Sequence, residues 1–352
     1  MDNKVKNLID RLEAEHSLTV EEYKFLIENH SEKAAEYAKK KAVALRKAIY
    51  GNDVYIRGLI EISNYCKNDC LYCGIRNSNK NCERYRLKKQ DILNCCKEGY
   101  DLGFRTFVMQ GGEDAYFSDE VMCDIIRSIK LKFPDCAVTL SLGERSKISY
   151  QKLWEAGADR YLLRHETADS EHYKRLHPQN LILENRIECL KNLKDIGYQV
   201  GCGFMVGSPY QSADTLAKDL KFIETFSPHM CGIGPFIPHS DTPFKDEPTG
   251  SFKLTLYLLS LIRLIKPNIL LPATTALGTI HKNGRELGIL AGANVVMPNL
   301  SPLNVRKKYE LYNNKISTGT EAAEGLGELN QQIESIGYKV VCHRGDIKNI
   351  LP

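Results

Sequence analysis

Short apolar runs rich in β-branched residues alternate with longer segments of helical periodicity from about residue 54 onward. This alternation is typical of repeated βα units. The apolar runs predict eight strands, at residues 54–63, 104–110, 137–142, 160–166, 199–206, 230–236, 269–274 and 293–297. The segments between them predict helices, among them 88–102, 119–133, 184–196, 213–226 and 253–265. Eight such units over roughly 250 residues match the size of a closed (β/α)8 barrel.

The predicted fold class is therefore α/β, a (β/α)8 TIM barrel at residues 51–300. A doubly wound sheet is the alternative, because the order of the strands cannot be read from the sequence. Residues 1–50 show no strand signal, and Thr19 followed by Glu22 resembles a capping box, so two short helices are expected there. Residues 301–352 are expected to form a tail that packs on the barrel, with a helix between residues 318 and 337.

Composition narrows the class of protein. The chain has 352 residues, of which 43% are hydrophobic and 26% charged, as in an ordinary globular protein. Its formal net charge of +4 gives little support to a nucleic-acid partner. The longest apolar run, at residues 254–265, falls short of the ~20 residues that a membrane-spanning helix needs. The charged N-terminus lacks a secretory signal, so we expect the 12 cysteines to lie in a reducing cytoplasm.

Three of these cysteines form a Cys-x3-Cys-x2-Cys motif directly after the first predicted strand, as Cys66, Cys70 and Cys73. Thiolates at this spacing select zinc or an iron–sulfur cluster. A structural zinc site needs a fourth ligand, for which Cys82 is the nearest candidate. A 4Fe–4S cluster held by three cysteines leaves one iron open to an exogenous ligand. The other nine cysteines show no second ligand spacing and are expected to be small apolar residues.

Cys66, Cys70, Tyr72 and Cys73 match the motif of the radical S-adenosylmethionine superfamily in type and spacing, including the aromatic residue before the last cysteine. The chain therefore resembles that superfamily. The resemblance implies one 4Fe–4S cluster whose open iron chelates the amino and carboxylate groups of S-adenosylmethionine. Reductive cleavage then gives methionine and a 5′-deoxyadenosyl radical, with ferredoxin or flavodoxin as the electron donor. The cofactors carry this chemistry, and no further catalytic side chain is implied.

Polar residues lie on predicted strands that should face the barrel interior. Because side chains alternate with period two, Arg160, Arg164 and Glu166 share one face of the fourth strand. Charges on such a face are costly unless they are paired or bind a polar ligand, and a salt-bridge network facing the helices is the alternative. Thr139 and Ser141 share a face of the third strand by the same rule.

Four further segments, at residues 164–168, 232–239, 272–276 and 297–299, resemble the HydE type of FeFe-hydrogenase maturase, and the likeness runs from about residue 50 to about 315. This implies action on a cysteine-bound iron carrying carbon monoxide and cyanide, a precursor of the hydrogenase H-cluster supplied by a partner maturase. Methylornithine synthase, which modifies an amino acid, and biotin synthase, which inserts sulfur, belong to the same group. Both remain alternatives, as do an iron–sulfur electron carrier and a zinc module.

The matched motifs also imply roles for individual residues. The residues expected to hold S-adenosylmethionine are Tyr72, Gln110, Gly111, Gly112, Ser141, Arg164, Glu166 and Arg186. Those expected to line the substrate end are Thr139, Arg160, Thr274, Thr275, Met297 and Tyr309, where hydroxyls and a guanidinium suit cyanide or carboxylate groups. Some members of the family carry a second cysteine cluster near the C-terminus. This chain has Ser317, Gly325 and Glu328 in that region, so we predict one cluster per chain.

Overall fold

The computed structural model describes residues 1–349, apart from the side chain of Thr320. Its α-helices are α1 (Asn3–Glu15), α2 (Val20–Glu28), α3 (Glu32–Tyr50), α4 (Lys89–Asp101), α5 (Asp119–Lys132), α6 (Lys147–Glu155), α7 (Ser170–Leu176), α8 (Leu183–Ile196), α9 (Ala213–Phe226), α10 (Phe252–Ile265), α11 (Thr275–Ile280), α12 (Gly284–Leu290), α13 (Leu303–Arg306) and α14 (Leu326–Ser335). Its strands are β1 (Asp53–Ile56), β2 (Gly58–Ser63), β3 (Thr106–Gly111), β4 (Ala137–Ser141), β5 (Arg160–Leu162), β6 (Gln199–Cys202), β7 (Met205–Val206), β8 (Met230–Cys231), β9 (Gly234–Pro235), β10 (Val295–Val296) and β11 (Lys339–Val341).

The strands form the predicted parallel barrel. Six of them pair in the order β2-β3-β4-β5-β6-β8. Single parallel bridges continue the ring from Met230 to Leu270, from Pro272 to Val295, and from Asn299 back to Leu59. The ring is thus closed, which excludes the doubly wound alternative, and the carboxyl ends of all its strands lie at one end of the barrel.

The first predicted strand is two strands in the structure. Arg57 lies between β1 and β2, and β1 pairs with β10 on one side and with β11 on the other, whereas β2 pairs with β3. The chain therefore changes its neighbour at Arg57. This break depends on β11, which lies near the end of the chain and was not predicted from the sequence.

The N-terminal segment contains three helices rather than the two expected. The predicted capping box is confirmed: the Thr19 hydroxyl accepts from the Glu22 amide, and the Glu22 carboxylate accepts from the Thr19 amide at 2.9 Å. The third helix, α3, begins after a Ser31 cap and buries Ala34, Ala38 and related positions four residues apart, the spacing of one helix face. These helices pack on α9 and α10, on the outside of the barrel.

The long apolar run at residues 254–265 lies in α10, a buried helix of the barrel wall. The one charge within residues 254–265, Arg263, has no exposed surface and donates to the carbonyls of Pro267, Ile269 and Gly292. Burial lowers the pKa of Arg263 to about 9, and these carbonyls compensate for the lost hydration. Within residues 1–349, no helix combines the length and the apolar character needed to cross a bilayer.

The C-terminal tail differs from the expected single helix. Two short 3-10 turns precede α14, which begins only at Leu326, and β11 follows it. Beyond β11 the chain crosses the amino-terminal end of the barrel, where the carbonyl of Arg344 accepts from the Thr106 hydroxyl at 2.8 Å. Gln199 donates to Asp346 at 3.1 Å in the same place. The tail therefore covers the end of the barrel opposite the cysteines.

Candidate active site

The cysteine motif lies on an irregular loop that follows β2 at the carboxyl end of the barrel. Hydrogen bonds to distant segments hold this loop, since it has no regular structure of its own. The Leu71 amide donates to the carbonyl of Leu176 at the end of α7, and the Gly74 amide donates to the carbonyl of Leu311 in the tail. All twelve cysteines of the chain are unpaired, and Cys66, Cys70 and Cys73 are half-buried.

Gly112, from the predicted Gln-Gly-Gly segment, packs directly against the cysteine loop. A Cβ atom at this position would lie 2.2 Å from the carbonyl oxygen of Tyr65 and 2.7 Å from the Cβ of Cys66. Glycine is required here because two backbones approach each other closely. The contact brings the end of β3, with Gln110 and Gly111, to the edge of the cysteine loop.

Arg164 and Glu166 form an ion pair beyond the end of β5, with Nη2 and Oε2 3.2 Å apart. Nε and Nη2 of Arg164 and Oε2 of Glu166 are nevertheless buried without a hydrogen-bond partner. Such atoms are costly unless a ligand satisfies them. These two residues, which were predicted to share one face of the strand, therefore leave charged atoms available to a ligand beside the cysteines.

Arg186 and Tyr72 are also drawn into this site. Arg186 is buried rather than exposed, and it donates to Glu144 at 2.5 Å and to the carbonyl of Arg164 at 3.1 Å. The Tyr72 hydroxyl donates to Nε2 of His177 at 3.1 Å. Burial lowers the pKa of His177 to about 3, so this imidazole is neutral near pH 7 and can accept the bond.

The residues predicted to line the substrate end separate into two groups. Thr139 and Thr274 each have a buried hydroxyl oxygen without a hydrogen-bond partner. The Tyr309 hydroxyl accepts from Gln110 at 3.3 Å, which links the substrate end to the S-adenosylmethionine end of the prediction. In contrast, the Thr275 hydroxyl already donates to Glu321 in the tail at 2.9 Å.

Ser141 and Met297 complete the predicted set. Ser141 is the last residue of β4, and its register partner on β3 is Gln110, so these two side chains share the inward face. Met297 follows β10 and packs partly buried against the cluster that contains Met230 and Tyr55. Because Ser141 ends β4, it lies at the carboxyl end of the barrel, beside Gln110.

Arg160 requires a correction. Its side chain faces the barrel interior as predicted, but Arg160 is the first residue of β5 and lies at the amino-terminal end. Nη2 donates to Asp346 at 2.5 Å, Nη1 donates to Thr106 at 3.0 Å, and Nε donates to Gln199 at 3.2 Å. Every nitrogen of the guanidinium is therefore bonded to protein, and we remove Arg160 from the substrate set.

Comparison with known proteins gives the family. Residues 60–223 match the model of the radical SAM superfamily. The chain is 45% identical over 300 residues to the [FeFe] hydrogenase maturase subunit HydE of Thermotoga maritima, covering 85% of each chain. It is 27% identical over 323 residues to the 3-methylornithine synthase of Methanosarcina acetivorans, covering 88% of this chain and 89% of that one. A crystal structure of methylornithine synthase (PylB) superimposes with a TM-score of 0.82 at 26% identity, covering 95% and 97% of the two chains.

The chain belongs to the HydE family of radical SAM enzymes. Enzymes of this superfamily use a 4Fe–4S cluster and S-adenosylmethionine, and the residues present fit both groups. Burial raises the pKa of Cys70 to about 12, with a further contribution from Cys66, and burial, followed by the charges of Cys70 and Cys66, raises the pKa of Cys73. The three thiols act on one another's charge, which ligation to iron would compensate, although within residues 1–349 no three such side chains converge as a formed metal site. The unsatisfied atoms of Arg164 and Glu166 fit a zwitterionic cofactor.

Sequence reasoning missed three charged residues of the HydE-family barrel. Arg57 is fully buried, with Nη1 2.9 Å from the sulfur of Met230 and with Nε and Nη2 unpartnered. Glu61 has no exposed surface and forms an ion pair with Lys315. Arg57 and Glu61 are the two charged residues in an otherwise apolar run. Because burying such charges is costly, their presence there could have indicated a functional or paired role.

Proposed function

We propose that this chain is an FeFe-hydrogenase maturase that acts on an iron–cysteine precursor carrying carbon monoxide and cyanide during assembly of the H-cluster. The name of the Thermotoga maritima relative supports the reaction class. One observation carries the proposal. Charged atoms of Arg164 and Glu166 beside the cysteine loop have no hydrogen-bond partner. Inside the barrel, Arg57, Thr139 and Thr274 also have buried polar atoms without a partner.

The residues at the carboxyl end have distinct tasks in this proposal. Cys66, Cys70 and Cys73 hold the cluster, and bound cluster and S-adenosylmethionine supply the radical chemistry. The guanidinium of Arg164 suits a carboxylate, and the carboxylate of Glu166 suits the hydroxyl or ammonium groups of the same cofactor. Arg186 fixes the backbone of Arg164 through the 3.1 Å bond to its carbonyl.

The remaining predicted residues complete the binding of S-adenosylmethionine. Gln110, Gly111 and Gly112 approach from the end of β3, and Ser141 approaches from the neighbouring strand. Tyr72 presents a fixed aromatic ring, because His177 holds its hydroxyl and meets it edge-on with ring centroids 5.4 Å apart. These contacts orient the cofactor with little side-chain entropy left to lose.

The substrate end lies deeper in the barrel in this proposal. Cyanide and carboxylate groups accept hydrogen bonds, and Arg57, Thr139 and Thr274 have unpartnered buried groups that can donate them. Tyr309 is buried next to Gln110, and Met297 adds an apolar side chain. Other hydrogenase maturases and a ferredoxin or flavodoxin are the proposed partners, in a reducing compartment that suits twelve unpaired cysteines.

An amino-acid substrate is the second candidate, because the fold superimposes on methylornithine synthase over nearly the whole chain. The same donors suit a carboxylate as well as a cyanide. The two functions differ in their products. An isomerised diamino acid formed by the protein alone indicates the second function, whereas active hydrogenase formed in the presence of the other maturases indicates the first.

The test uses protein reconstituted with iron and sulfide without oxygen. Reductant-dependent formation of 5′-deoxyadenosine from S-adenosylmethionine is expected, with loss in Cys70→Ser and retention in the control Cys342→Ser, whose thiol is exposed in the tail. Hydrogenase activation in an extract that lacks this protein is expected on its addition. Arg57→Gln should keep the affinity for S-adenosylmethionine but lower the yield of active hydrogenase. Full activation by Arg57→Gln, or none by the unaltered protein, would contradict the proposal.

A further inference from the structure

Two buried ionisable side chains lie behind the Arg164–Glu166 turn and take no part in the proposed binding of cofactor or substrate. His165 and Asp219 both have no exposed surface. The imidazole of His165 points away from the barrel interior, toward α9, and packs against Phe222 and Phe204 with ring centroids 4.6 Å and 5.9 Å apart. Asp219 comes from the middle of α9.

Asp219 contacts the chain on both sides of Glu166. Its Oδ1 accepts from the amide of Ala168 at 2.6 Å and lies 3.3 Å from Nε2 of His165. Nδ1 of His165 accepts from the amide of Gly203 at 3.3 Å, so the proton of a neutral imidazole is on Nε2, facing the carboxylate. One side chain of α9 thus fixes the residues immediately before and shortly after Glu166.

The turn needs such support. Glu166 has a φ of 64°, a left-handed conformation that costs a residue with a side chain about 1–2 kcal/mol. Its amide donates to the carbonyl of Gly203 at 3.0 Å, but β5 has already ended at Leu162. A single parallel bridge to Phe204 holds the backbone at Glu166 itself, and the contacts of His165 and Ala168 with Asp219 hold the residues on either side of it.

We propose that Asp219 and His165 are positioning residues, which act through the Arg164–Glu166 turn to set the affinity for S-adenosylmethionine. The inference rests on the proposed assignment of Arg164 and Glu166 to that cofactor. A buried carboxylate is a costly way to fill space between a helix and a strand, and apolar residues of similar volume would stabilise such a position as well or better. Because the Asp219 carboxylate contacts the residues on both sides of this strained turn, we infer that it orients Glu166 for binding of the cofactor.

The test measures the dissociation constant of S-adenosylmethionine by anaerobic calorimetry on the reconstituted protein. Asp219→Asn preserves volume but removes the charge that faces His165, and we expect its dissociation constant to rise about tenfold, the equivalent of ~1.4 kcal/mol. His165→Gln is the second variant, with the same expectation. Leu220→Ala is the matched control: Leu220 is the next residue of α9 and is fully buried, so this variant is destabilised, yet its affinity should stay within twofold of the unaltered protein.

A double variant separates positioning from general destabilisation. If Asp219 acts through Glu166, then Asp219→Asn changes the affinity by less than twofold once Glu166→Gln is present. The same tenfold loss in both backgrounds, or unaltered affinity in both Asp219→Asn and His165→Gln, would overturn the inference. Unaltered affinity in Glu166→Gln alone would instead overturn the assignment of Glu166 to the cofactor, and the inference with it.

Discussion

Replacement of Glu61 by glutamine is expected to destabilise the protein while preserving its shape. Glu61 has no exposed surface, and its carboxylate contacts Nζ of Lys315 and accepts from Asn299 at 2.9 Å. Lys315 also donates to the carbonyl of Tyr309 at 3.0 Å. Glutamine has nearly the same volume and can still accept from Asn299. The substitution therefore removes one charge and leaves the ammonium of Lys315, only 8% exposed, without a counterion.

The magnitude follows from the burial of the pair. Breaking a buried ion pair by removing one partner costs ~3–5 kcal/mol, and the remaining amide oxygen places Glu61→Gln near the lower value. Unfolding entropy is about 2.1 cal/mol/K per residue, which for 352 residues gives about 0.7 kcal/mol/K. A loss of about 3 kcal/mol then lowers the melting temperature by about 4 °C.

The measurement is a double-mutant cycle on melting temperature and urea unfolding. It compares the unaltered protein with Glu61→Gln, Lys315→Met and the double variant. Each single variant should lose about 3 kcal/mol, whereas the double variant should regain at least half of the summed loss, because it contains no unpaired buried charge. A Glu61→Gln variant within about 1 kcal/mol of the unaltered protein, or strictly additive losses, would refute the reasoning.

Two further predictions concern the cysteine loop and the tail. Gly112→Ala should bind less than half the iron of the unaltered protein after reconstitution, because its Cβ would lie 2.2 Å from a backbone oxygen of the cysteine loop, whereas Gly327→Ala, with open space around it, should bind normal iron. Although burial opposes them, Arg344 and Arg160 hold the pKa of Asp346 below its usual value. Its stabilisation is therefore present above about pH 4 and lost below it, so the melting-temperature difference between the unaltered protein and Asp346→Asn should narrow as the pH falls from 6 toward 3. A constant difference would contradict this.

The fold was predictable where local periodicity determines structure. The helix predicted at 213–226 has those bounds in the structure as α9, and the barrel strands lie within or close to the predicted runs. The errors occur where distant segments meet. Arg57 interrupts the first run because β11, almost 300 residues later, takes the place of β3 beside β1. Nothing in the local sequence around Arg57 encodes that change of neighbour.

The geometry of the candidate site was likewise predictable only where it depends on local sequence. The cysteine spacing is local, and it identified the loop without reference to the rest of the chain. Whether a polar side chain is available to a ligand depends instead on which distant groups have already bonded to it. Arg160 is already paired with Asp346, and the hydroxyl of Thr275 already donates to Glu321. Both carboxylates belong to the tail. Alternation along a strand predicts the face of a side chain but not this competition.

Most of the charges that line the barrel are paired with one another. Within residues 1–349, Arg160 pairs with Asp346, Glu61 pairs with Lys315, and Arg164 pairs with Glu166. Arg57 forms no ion pair within the same residues; burial, followed by the charge of Arg160, lowers its pKa well below the usual value, and the charge of Asp346 opposes this only in part. A neutral ligand would leave this cost in place, whereas an anionic one repays it directly. In the proposed function, the negative charge of the substrate offsets this cost where it approaches Arg57.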